Sequence, residues 1–392
     1  MTLMMVAGER SGDMYGGRLA AALRSRKGQL GLFGCGGEAM RRAGVETVVD
    51  LAEFAMVGIT EVLSGLPRAY RAFHLLMSEA SRRQPRLAIL IDSPSLNMRL
   101  AKKLKRLGVP VLYFVSPQIW AWKKWRLQQL ISRVDRMACI FDFEKEIYRQ
   151  VGIPAEYVGH PLVETVAPSL SREAFFAQVN LDPALQTVAL LPGSREIEIQ
   201  YILPTILEAV EKLSERRNLQ WVLAVAPTLD ARGIEARLRQ SPVAARRVRV
   251  APHAAYEALA YSDVAVVASG TATIEAALLE RPMVVVYRVS RVTAFFARRM
   301  VDVPFFSMVN ILAEKAVVPE LIQQDFTPER LATEVARLLD SPETRSEMLE
   351  ELQAVKSRLG GGGAIERVAD AAVRMMCEEA GGRGEGTHKK VV

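Results

Sequence analysis

Residues 187–198 read TVALLPGSREIE, and this stretch decides how the chain is expected to fold. The apolar run at 187–191 is typical of a short buried strand. Pro192, Gly193 and Ser194 then form a turn, and the residues beyond them begin a helix. Units of strand, turn and helix build parallel sheets that carry helices on both faces.

Residues 3–13, LMMVAGERSGD, make the same transition at the start of the chain. Two series of apolar strands alternate with helices around these two points, and the longest helix runs from about Thr60 to Arg83. The predicted strands are Leu3–Ala7, Leu30–Phe33, Leu87–Ile91, Val111–Val115, Met137–Phe141, Ala155–Val158, Thr187–Leu191, Gln220–Ala226, Val248–Ala251, Val264–Ala268 and Met283–Val286. We therefore expect two Rossmann-like, doubly wound α/β units in tandem, with ligands bound in a cleft beyond the carboxyl ends of the strands.

A polar stretch after Gly159-His160-Pro161 separates the two series. The expected organisation is an acceptor-side Rossmann-like domain at 1–165 and a donor-binding Rossmann-like domain at 166–355. A C-terminal helix at 356–380 is expected to pack back, and a flexible tail is expected at 381–392.

Composition excludes several classes of protein. With 50% hydrophobic and 24% charged residues, the chain of 392 residues is typical of a globular protein rather than a disordered one. Three scattered cysteines without a CxxC pair favour a reducing compartment and argue against a zinc site. We find neither a signal-peptide pattern nor an apolar run long enough to span a membrane, so a cytoplasmic address is expected.

The formal net charge of +7 indicates anionic partners, such as phosphorylated metabolites, an anionic membrane surface or nucleic acid. Its basic residues form short clusters beside large apolar side chains rather than one long stripe. This arrangement favours a solvated helix face or a membrane surface, and nucleic acid is not an expected partner.

Candidate residues in the first series follow two of its strands. Gly8 and Ser11 lie in a turn whose backbone amides suit an anion or a sugar, although the GxGxxG fingerprint is absent from it. Glu9 places a carboxylate at the mouth of the first strand, and Asp92 follows another apolar strand. Partial desolvation raises the proton affinity of such a carboxylate, so both are candidate general bases. Ordinary turns with capping residues are the alternative interpretation.

The turn at Gly193, Ser194 and Arg195 is the strongest candidate in the second series. Its backbone amides and hydroxyl suit a diphosphate, and the guanidinium of Arg195 can bind two phosphate oxygens. A plain turn with an exposed arginine is the alternative.

A similar turn follows the strand at 264–268 and contains Ser269, Gly270 and Thr271. Two turns of this type in one domain favour a nucleotide diphosphate. Glu275, one helical turn further on, is placed to accept hydrogen bonds from a ribose. Its alternative role is that of an acidic residue stabilised by the helix dipole.

Residues 113–126, YFVSPQIWAWKKWR, place three of the four tryptophans beside three cations. Trp120, Trp122 and Lys123 are therefore candidates for the wall of an acceptor site or for contact with a membrane. Core packing of the tryptophans is the alternative.

Taken in chain order, these motifs resemble those of the lipid-A-disaccharide synthase family over nearly the whole chain. The resembling segments are AGExSGD at 7–13, GxGG at 34–37, VGITEVL at 57–63, DSP at 92–94, VSPQIWAW at 115–122, FEK at 143–145, GHP at 159–161, LPGSR at 191–195, ASGTA at 268–272 and Asn310. Each segment is weak alone, but their order and spacing are highly specific.

The resemblance implies a glycosyltransferase-B fold and an inverting glycosyltransferase. Neither a metal nor a cofactor is expected, because the sequence has no acidic metal-binding cluster. The implied donor is UDP-2,3-diacylglucosamine, and the implied acceptor is 2,3-diacylglucosamine 1-phosphate. Their product, a β-1,6-linked disaccharide 1-phosphate, belongs to lipid A synthesis in a Gram-negative-type envelope. Acylated substrates imply a cytoplasmic protein peripherally associated with the inner membrane, and residues 63–77 and 294–306 are candidate contacts. A core-facing helix face is the alternative for both stretches, and a homodimer is left open.

The implied mechanism is a single displacement in which a base takes the proton of the acceptor 6-hydroxyl. Arg195 and the helix starts near Ser194 and Ser269 stabilise the departing UDP. Glu275 holds the ribose, and three residues line the sugar and diphosphate: Glu9, Ser11 and Asn310.

Ser95 departs from the family pattern. Many members have Asp-x-Pro-Asp here, and the second aspartate would be the favoured base. In this chain the general base is then expected to be Asp92 or Glu9, or the base acts through a water molecule.

Three other functions compete with this interpretation. A UDP-sugar 2-epimerase would share the two domains and the donor-binding turns but would not need the aromatic and basic segment. A peptidoglycan-type N-acetylglucosaminyl transferase would differ in its acceptor. A nucleotide-binding regulatory module would bind the donor without turnover.

Overall fold

The computed structural model describes residues 1–53, 59–117, 125–290, 293–294 and 304–382, without the side chains at 59–66, 125–126 and 379–382. The chain forms two compact units. Met1–Pro161 and the chain from Leu359 onward make up the first unit, and Leu162–Arg358 make up the second. The boundary expected from the sequence, after residue 165, lies in the polar stretch just beyond Pro161.

A seven-stranded parallel sheet forms the centre of the first unit, in the order β3-β2-β1-β4-β5-β6-β7. Its strands are β1 Thr2–Ala7, β2 Gly31–Gly36, β3 Glu46–Asp50, β4 Ala88–Ile91, β5 Val111–Phe114, β6 Arg136–Cys139 and β7 Ala155–Tyr157. The strand order runs outward in both directions from the β1–β4 pair. The carboxyl ends of these two strands therefore form the topological switch point, where ligands bind in sheets of this kind.

Helices cover this sheet because the strands alternate with amphipathic segments. They are α1 Arg10–Arg26, α2 Glu38–Arg42, α3 Ile59–Arg83, α4 Pro94–Arg106, α5 Trp125–Ile131 and α6 Asp142–Gln150, with a short 3-10 turn at Leu51–Glu53. The central strands β1, β4 and β5 are almost fully buried, as expected for parallel strands covered on both faces.

A six-stranded parallel sheet, in the order β10-β9-β8-β11-β12-β13, forms the centre of the second unit. Its strands are β8 Thr187–Leu191, β9 Gln220–Val225, β10 Val248–Pro252, β11 Val264–Ala268, β12 Met283–Tyr287 and β13 Glu320–Ile322. The switch point of this sheet lies between β8 and β11. The expected class, two Rossmann-like doubly wound units, is confirmed.

The helices of the second unit follow a 3-10 turn at Pro161–Glu164. They are α7 Arg172–Val179, α8 Glu196–Ser214, α9 Ala231–Leu238, α10 Pro242–Arg247, α11 Ala255–Tyr261, α12 Thr271–Leu278, α13 Met308–Ala313, α14 Pro328–Asp340 and α15 Pro342–Arg358. The last helix, α16 Ala364–Gly382, belongs to the first unit.

Helix α16 packs back against the first unit through ion pairs. Arg26 of α1 pairs with Glu366 at 2.5 Å and with Asp370 at 2.7 Å. Arg374 pairs with Glu156 of β7 at 2.7 Å. The return of the C-terminal helix was expected from the sequence. The flexible tail was expected at 381–392, but residues 381–382 belong to α16, and residues 383–392 are outside the described part of the chain.

Sequence reasoning missed two strands, β3 and β13. Both lie at an edge of their sheet. β3 begins with Glu46 and ends with Asp50, and only Val49 within it is buried, so its pattern lacks an apolar run. β13 has three residues, too few for a periodic signal. The predicted strands all occur, with ends that differ by up to three residues.

None of the helices among the described residues is both long and apolar enough to cross a membrane.

Candidate functional site

Glu9 and Asp92 follow neighbouring strands at the switch point of the first unit. Ala7 at the end of β1 pairs with Ile91 at the end of β4, so the two turns after them emerge side by side. A Cβ atom on Gly8 would lie 2.1 Å from the hydroxyl oxygen of Ser93, which shows that only glycine fits this close approach. Two of the predicted residues, Glu9 and Asp92, are thus brought together.

The backbone at Asp92 adopts a conformation that ordinary residues rarely adopt. Asp92 has φ +50° and Ser93 has φ +46°, while Val115 at the end of neighbouring β5 has φ +62°. Left-handed backbone costs free energy at residues other than glycine and persists only where the surroundings enforce it.

Two buried side chains enforce the conformation of Asp92. Its carbonyl oxygen accepts from Nδ2 of Asn97 at 2.7 Å and from the hydroxyl of Tyr113 at 2.7 Å. Nδ2 of Asn97 also donates to the carbonyl of Ile91 at 3.0 Å. Both side chains are fully buried. They act as a clamp on the backbone that carries the Asp92 carboxylate.

Burial raises the pKa of Asp92 to about 6, with a further contribution from the nearby negative charge of Glu9. A hydrogen bond from the backbone of Ser93 opposes this rise only in part. A carboxylate with a pKa near 6 is mostly ionised at neutral pH and takes up a proton more readily than an exposed aspartate. Its position and pKa suit a general base.

The remaining residues of the first turns lie close by. Glu9 is the N-cap residue of α1 and is exposed, and Ser11 is half-buried in the first turn of that helix. Ser95 is exposed in the first turn of α4.

Asp13, from the same motif, has a structural role that sequence reasoning missed. Its carboxylate is buried and accepts from the backbone amides of Gly37 at 2.6 Å, Ala39 at 3.0 Å and Met40 at 3.1 Å. It therefore caps α2 rather than its own helix. The glycine pair at 36–37, at the end of β2, is the sequence signal for a turn that needs such a partner.

In the second unit, the turn at Gly193, Ser194 and Arg195 follows β8 as predicted, but its amides already have an acceptor. Oε2 of Glu198 accepts from the amide of Ser194 at 2.8 Å and from that of Arg195 at 3.2 Å. The guanidinium of Arg195 is 62% exposed and lies 3.8 Å from the other carboxylate oxygen. Sequence reasoning assigned these amides to a diphosphate and did not foresee Glu198.

The turn at Ser269, Gly270 and Thr271 follows β11, the strand beside β8, so the two predicted turns lie at one switch point. Ser269 donates its hydroxyl to the carbonyl of Phe306 at 3.0 Å. Thr271 is exposed at the start of α12. The backbone of Gly270 has φ +150°.

Glu275 lies one turn into α12 and is half-buried. Desolvation raises its pKa to about 7, and a hydrogen bond from the hydroxyl of Tyr256, at 3.4 Å, acts in the opposite direction. A carboxylate that is half-ionised at neutral pH accepts hydrogen bonds from hydroxyl groups when it is charged. This property is compatible with the predicted contact to a ribose.

Asn310 is placed differently from the other candidates. It is buried, and its side chain donates to the carbonyl of Val318 at 2.9 Å and to Glu320 at 2.8 Å. Its oxygen accepts from the amides of Val317 and Val318 at 2.8 and 2.9 Å. The Asn310 side chain therefore supports the loop at 317–320, and its hydrogen bonds do not go to either of the two turns.

Glu320 links that support to the Ser269 turn. Its carboxylate accepts from the amides of Phe306 and Ser307, each at 2.9 Å. Ser269 bonds to the carbonyl of the same Phe306. Asn310 thus acts on the turn through Glu320 and the backbone at 306–307.

Trp120, Trp122 and Lys123 lie outside the described residues, as does most of the candidate membrane segment at 294–306. Within the described part of the chain, no group of three or more His, Cys, Asp or Glu side chains is arranged to hold a metal ion.

A surface pocket of about 550 Å³ lies at the amino ends of strands in the second sheet, opposite the two turns. Its lining includes Asp263, which precedes β11, and Pro282, which precedes β12. Because ligands of such sheets bind beyond the carboxyl ends of the strands, this pocket is separate from the two turns.

Comparison with known proteins identifies the family. The model of the family described as Lipid-A-disaccharide synthetase matches residues 3–362. The lipid-A-disaccharide synthase of Myxococcus xanthus (strain DK1622) is 46% identical over 375 residues, which cover 95% of this chain and 97% of that protein. The synthase of Solibacter usitatus (strain Ellin6076) is 43% identical over 359 residues, covering 92% of this chain and 93% of that protein.

Solved structures of lower identity share the fold. UDP-GlcNAc 2-epimerase from Neisseria meningitidis, bound to UDP-GlcNAc, has a TM-score of 0.66 at 12% identity, covering 95% of this chain and 100% of that chain. The calicheamicin glycosyltransferase CalG4 has a TM-score of 0.57 at 13% identity, covering 99% of each chain. At these identities both an epimerase and a glycosyltransferase share the fold, and the assignment depends on the family match. This chain belongs to the lipid-A-disaccharide synthase family, and it is a glycosyltransferase of lipid A biosynthesis that uses a nucleotide-sugar donor and a lipid acceptor.

Proposed function

We propose that the chain transfers the sugar of UDP-2,3-diacylglucosamine to the 6-hydroxyl of 2,3-diacylglucosamine 1-phosphate. The products are the β-1,6-linked tetraacyl disaccharide 1-phosphate and UDP. The observation that carries the proposal is the clamped Asp92, whose pKa of about 6 suits it to take a proton from an alcohol. The family match supports the identity of the two substrates.

Asp92 is the proposed general base, and Glu9 is the second candidate. As the 6-oxygen bonds to the anomeric carbon of the donor, its proton passes to the carboxylate of Asp92. The bond between the anomeric carbon and the β-phosphate oxygen breaks, and that oxygen leaves with the electron pair. Attack from the face opposite the leaving group inverts the anomeric configuration.

The second unit is proposed to hold the UDP. The positive guanidinium of Arg195 and the partial positive charges of the helix starts near Ser194 and Ser269 are proposed to face the diphosphate. They would stabilise the negative charge that develops on the leaving oxygen. Glu275 is proposed to accept hydrogen bonds from the ribose. Gly8 and Ser11 are proposed to line the sugar site of the first unit, and Asn310 to support the diphosphate side through Glu320.

We further propose that the protein works in the cytoplasm, peripherally associated with the inner membrane of a Gram-negative-type cell, because both substrates carry acyl chains. Among the described residues, the exposed face of α3 supports this proposal: Tyr70 and Leu75 are 66% and 47% exposed beside Arg71 and His74. Trp120, Trp122 and Lys123 remain proposed acceptor or membrane contacts, and a homodimer remains a proposal for light scattering to test.

The test is incubation of the purified full chain with the diacylated UDP-sugar, with and without the acceptor, followed by mass spectrometry. We expect disaccharide and UDP only when the acceptor is present. Isomerised donor without acceptor would indicate an epimerase. Near-normal turnover in both Asp92→Asn and Glu9→Gln would remove both candidate bases.

A further inference from the structure

Glu198 is a carboxylate within the turn that the proposed function assigns to the donor's diphosphate. Helix α8 begins directly after this turn, and Glu198 is its third residue. Its side chain folds back over the turn and is only 14% exposed. The turn is built around this carboxylate, because a Cβ atom on Gly193 would lie 2.4 Å from its Oε2.

The contacts of Glu198 are those that a phosphate would make. Its Oε2 accepts from the amides of Ser194 and Arg195, and its Oε1 lies 3.8 Å from the Arg195 guanidinium. Backbone amides at a helix start together with an arginine form the usual recognition set for a phosphate group. In this protein the same set binds an anion of the chain itself.

A diphosphate and the carboxylate of Glu198 cannot both occupy these amides, since each N–H group donates one good hydrogen bond and the two anions repel each other. A diphosphate that binds here must either displace Glu198 or accept weaker contacts beside it. Both outcomes lower the affinity for the nucleotide.

We infer that Glu198 is an internal competitor of the donor's diphosphate and sets how tightly UDP is held after the sugar has been transferred. This inference rests on the proposed function, because it assumes that UDP binds at this turn. Weaker binding of UDP favours release of the product. The competition acts on phosphate groups and leaves binding of the uridine moiety unchanged.

The test measures binding of UDP and of uridine to the full chain by calorimetry, for the wild type and for Glu198→Gln. The glutamine keeps an oxygen acceptor for the turn and removes the charge, so we expect UDP to bind about tenfold more tightly while uridine binding stays the same. A second variant, Glu198→Asp, keeps the charge but shortens the reach to the amides. We expect it to tighten UDP binding by a smaller factor, about threefold.

Glu196→Gln is the matched control. Glu196 lies two residues earlier on α8, and its carboxylate pairs with Arg237 rather than with the turn. The Glu196→Gln variant removes the same charge from the same helix start as Glu198→Gln, and we expect its UDP affinity to change by less than about twofold.

Equal or weaker UDP binding in both Glu198 variants would overturn the inference, as would a change of the same size for uridine or in Glu196→Gln. In those cases wild-type binding of UDP would leave the proposed function standing. Absence of UDP binding in the wild type and in every variant would overturn both the inference and the proposed nucleotide site.

Discussion

The two switch points of this protein have the same topology and opposite chemistry. In the first unit, β1 and β4 are followed by Glu9 and Asp92, two carboxylates. Burial, together with the nearby negative charge of Glu9, raises the pKa of Asp92. In the second unit, β8 and β11 are followed by the turns Gly193-Ser194-Arg195 and Ser269-Gly270-Thr271, which present an arginine, hydroxyls and helix starts. We therefore propose that carboxyl ends of the same topology serve a proton acceptor in one unit and an anion site in the other.

The difference lies in the residues directly after each strand and not in the sheet itself. Acidic residues at the first switch point suit removal of a proton from a neutral alcohol, and they repel phosphate. Cationic and hydrogen-bond donor groups at the second suit a diphosphate. We therefore divide the reaction between the two units, and substitutions on either side of that division should have different effects.

Asp92→Asn is expected to have the largest effect. Because the amide cannot accept the proton, we expect kcat to fall by about a thousandfold while the affinity for UDP changes little. Steady-state kinetics and calorimetry would measure both quantities. Asp50→Asn is the matched control. Asp50 lies at the end of edge strand β3 and pairs with Arg41, so kcat and UDP affinity of this variant should remain near normal. A similar loss of UDP affinity in Asp92→Asn would contradict the division.

Arg195→Ala should affect the other side of the division. We expect kcat/KM for the donor to fall by about a hundredfold and UDP binding to weaken, because the charge proposed to stabilise the diphosphate is removed. Arg246→Ala is the control. It removes an exposed arginine from the end of α10, directly before the amino end of β10, and should leave kcat/KM and UDP affinity unchanged. Normal UDP affinity in Arg195→Ala would show that the nucleotide binds elsewhere.

Tyr113→Phe tests the clamp on Asp92. The substitution keeps the buried ring and removes the hydroxyl that donates to the Asp92 carbonyl. We expect kcat to fall by about tenfold with the donor KM unchanged, because the backbone that carries the carboxylate is held less firmly. Tyr148→Phe is the control, since that buried hydroxyl donates to Pro117 instead. If the two variants lower thermal stability and activity equally, the clamp has only a structural role.

Glu9→Gln should give the smallest effect, a shift in the pH profile. The base must be ionised, so activity falls as pH drops through the Asp92 pKa of about 6. The charge of Glu9 raises that pKa, and its removal should move the acid limb of kcat/KM to lower pH by less than about one unit. An unchanged limb would show that the two carboxylates do not interact.

The sheets and the turns after their central strands could be predicted from sequence because apolar runs that end in glycine and serine give a local signal. Edge strands β3 and β13 could not, since a half-exposed or three-residue strand has no such pattern. Buried strand length and turn composition are properties of neighbouring residues, and sequence reasoning detects those.

The contacts of the site depend on residues far apart in sequence or on unusual backbone. Nothing in the sequence indicates that Asp92 is left-handed, and therefore nothing indicates that Asn97 and Tyr113 hold it. Asp13 caps a helix that begins 25 residues later, and Asn310 binds a loop instead of a ligand turn. Glu198 is close to the turn in sequence, but whether its carboxylate binds the turn amides or points into solvent depends on side-chain conformation, which the sequence does not indicate.

A crystal structure with UDP bound tests the central claim most directly. We predict the diphosphate within about 3 Å of the Arg195 guanidinium and of the helix start at Thr271, with the ribose hydroxyls on Glu275. Density for UDP at Gly8 and Ser11 of the first unit, with the turns of the second unit unchanged, would contradict it.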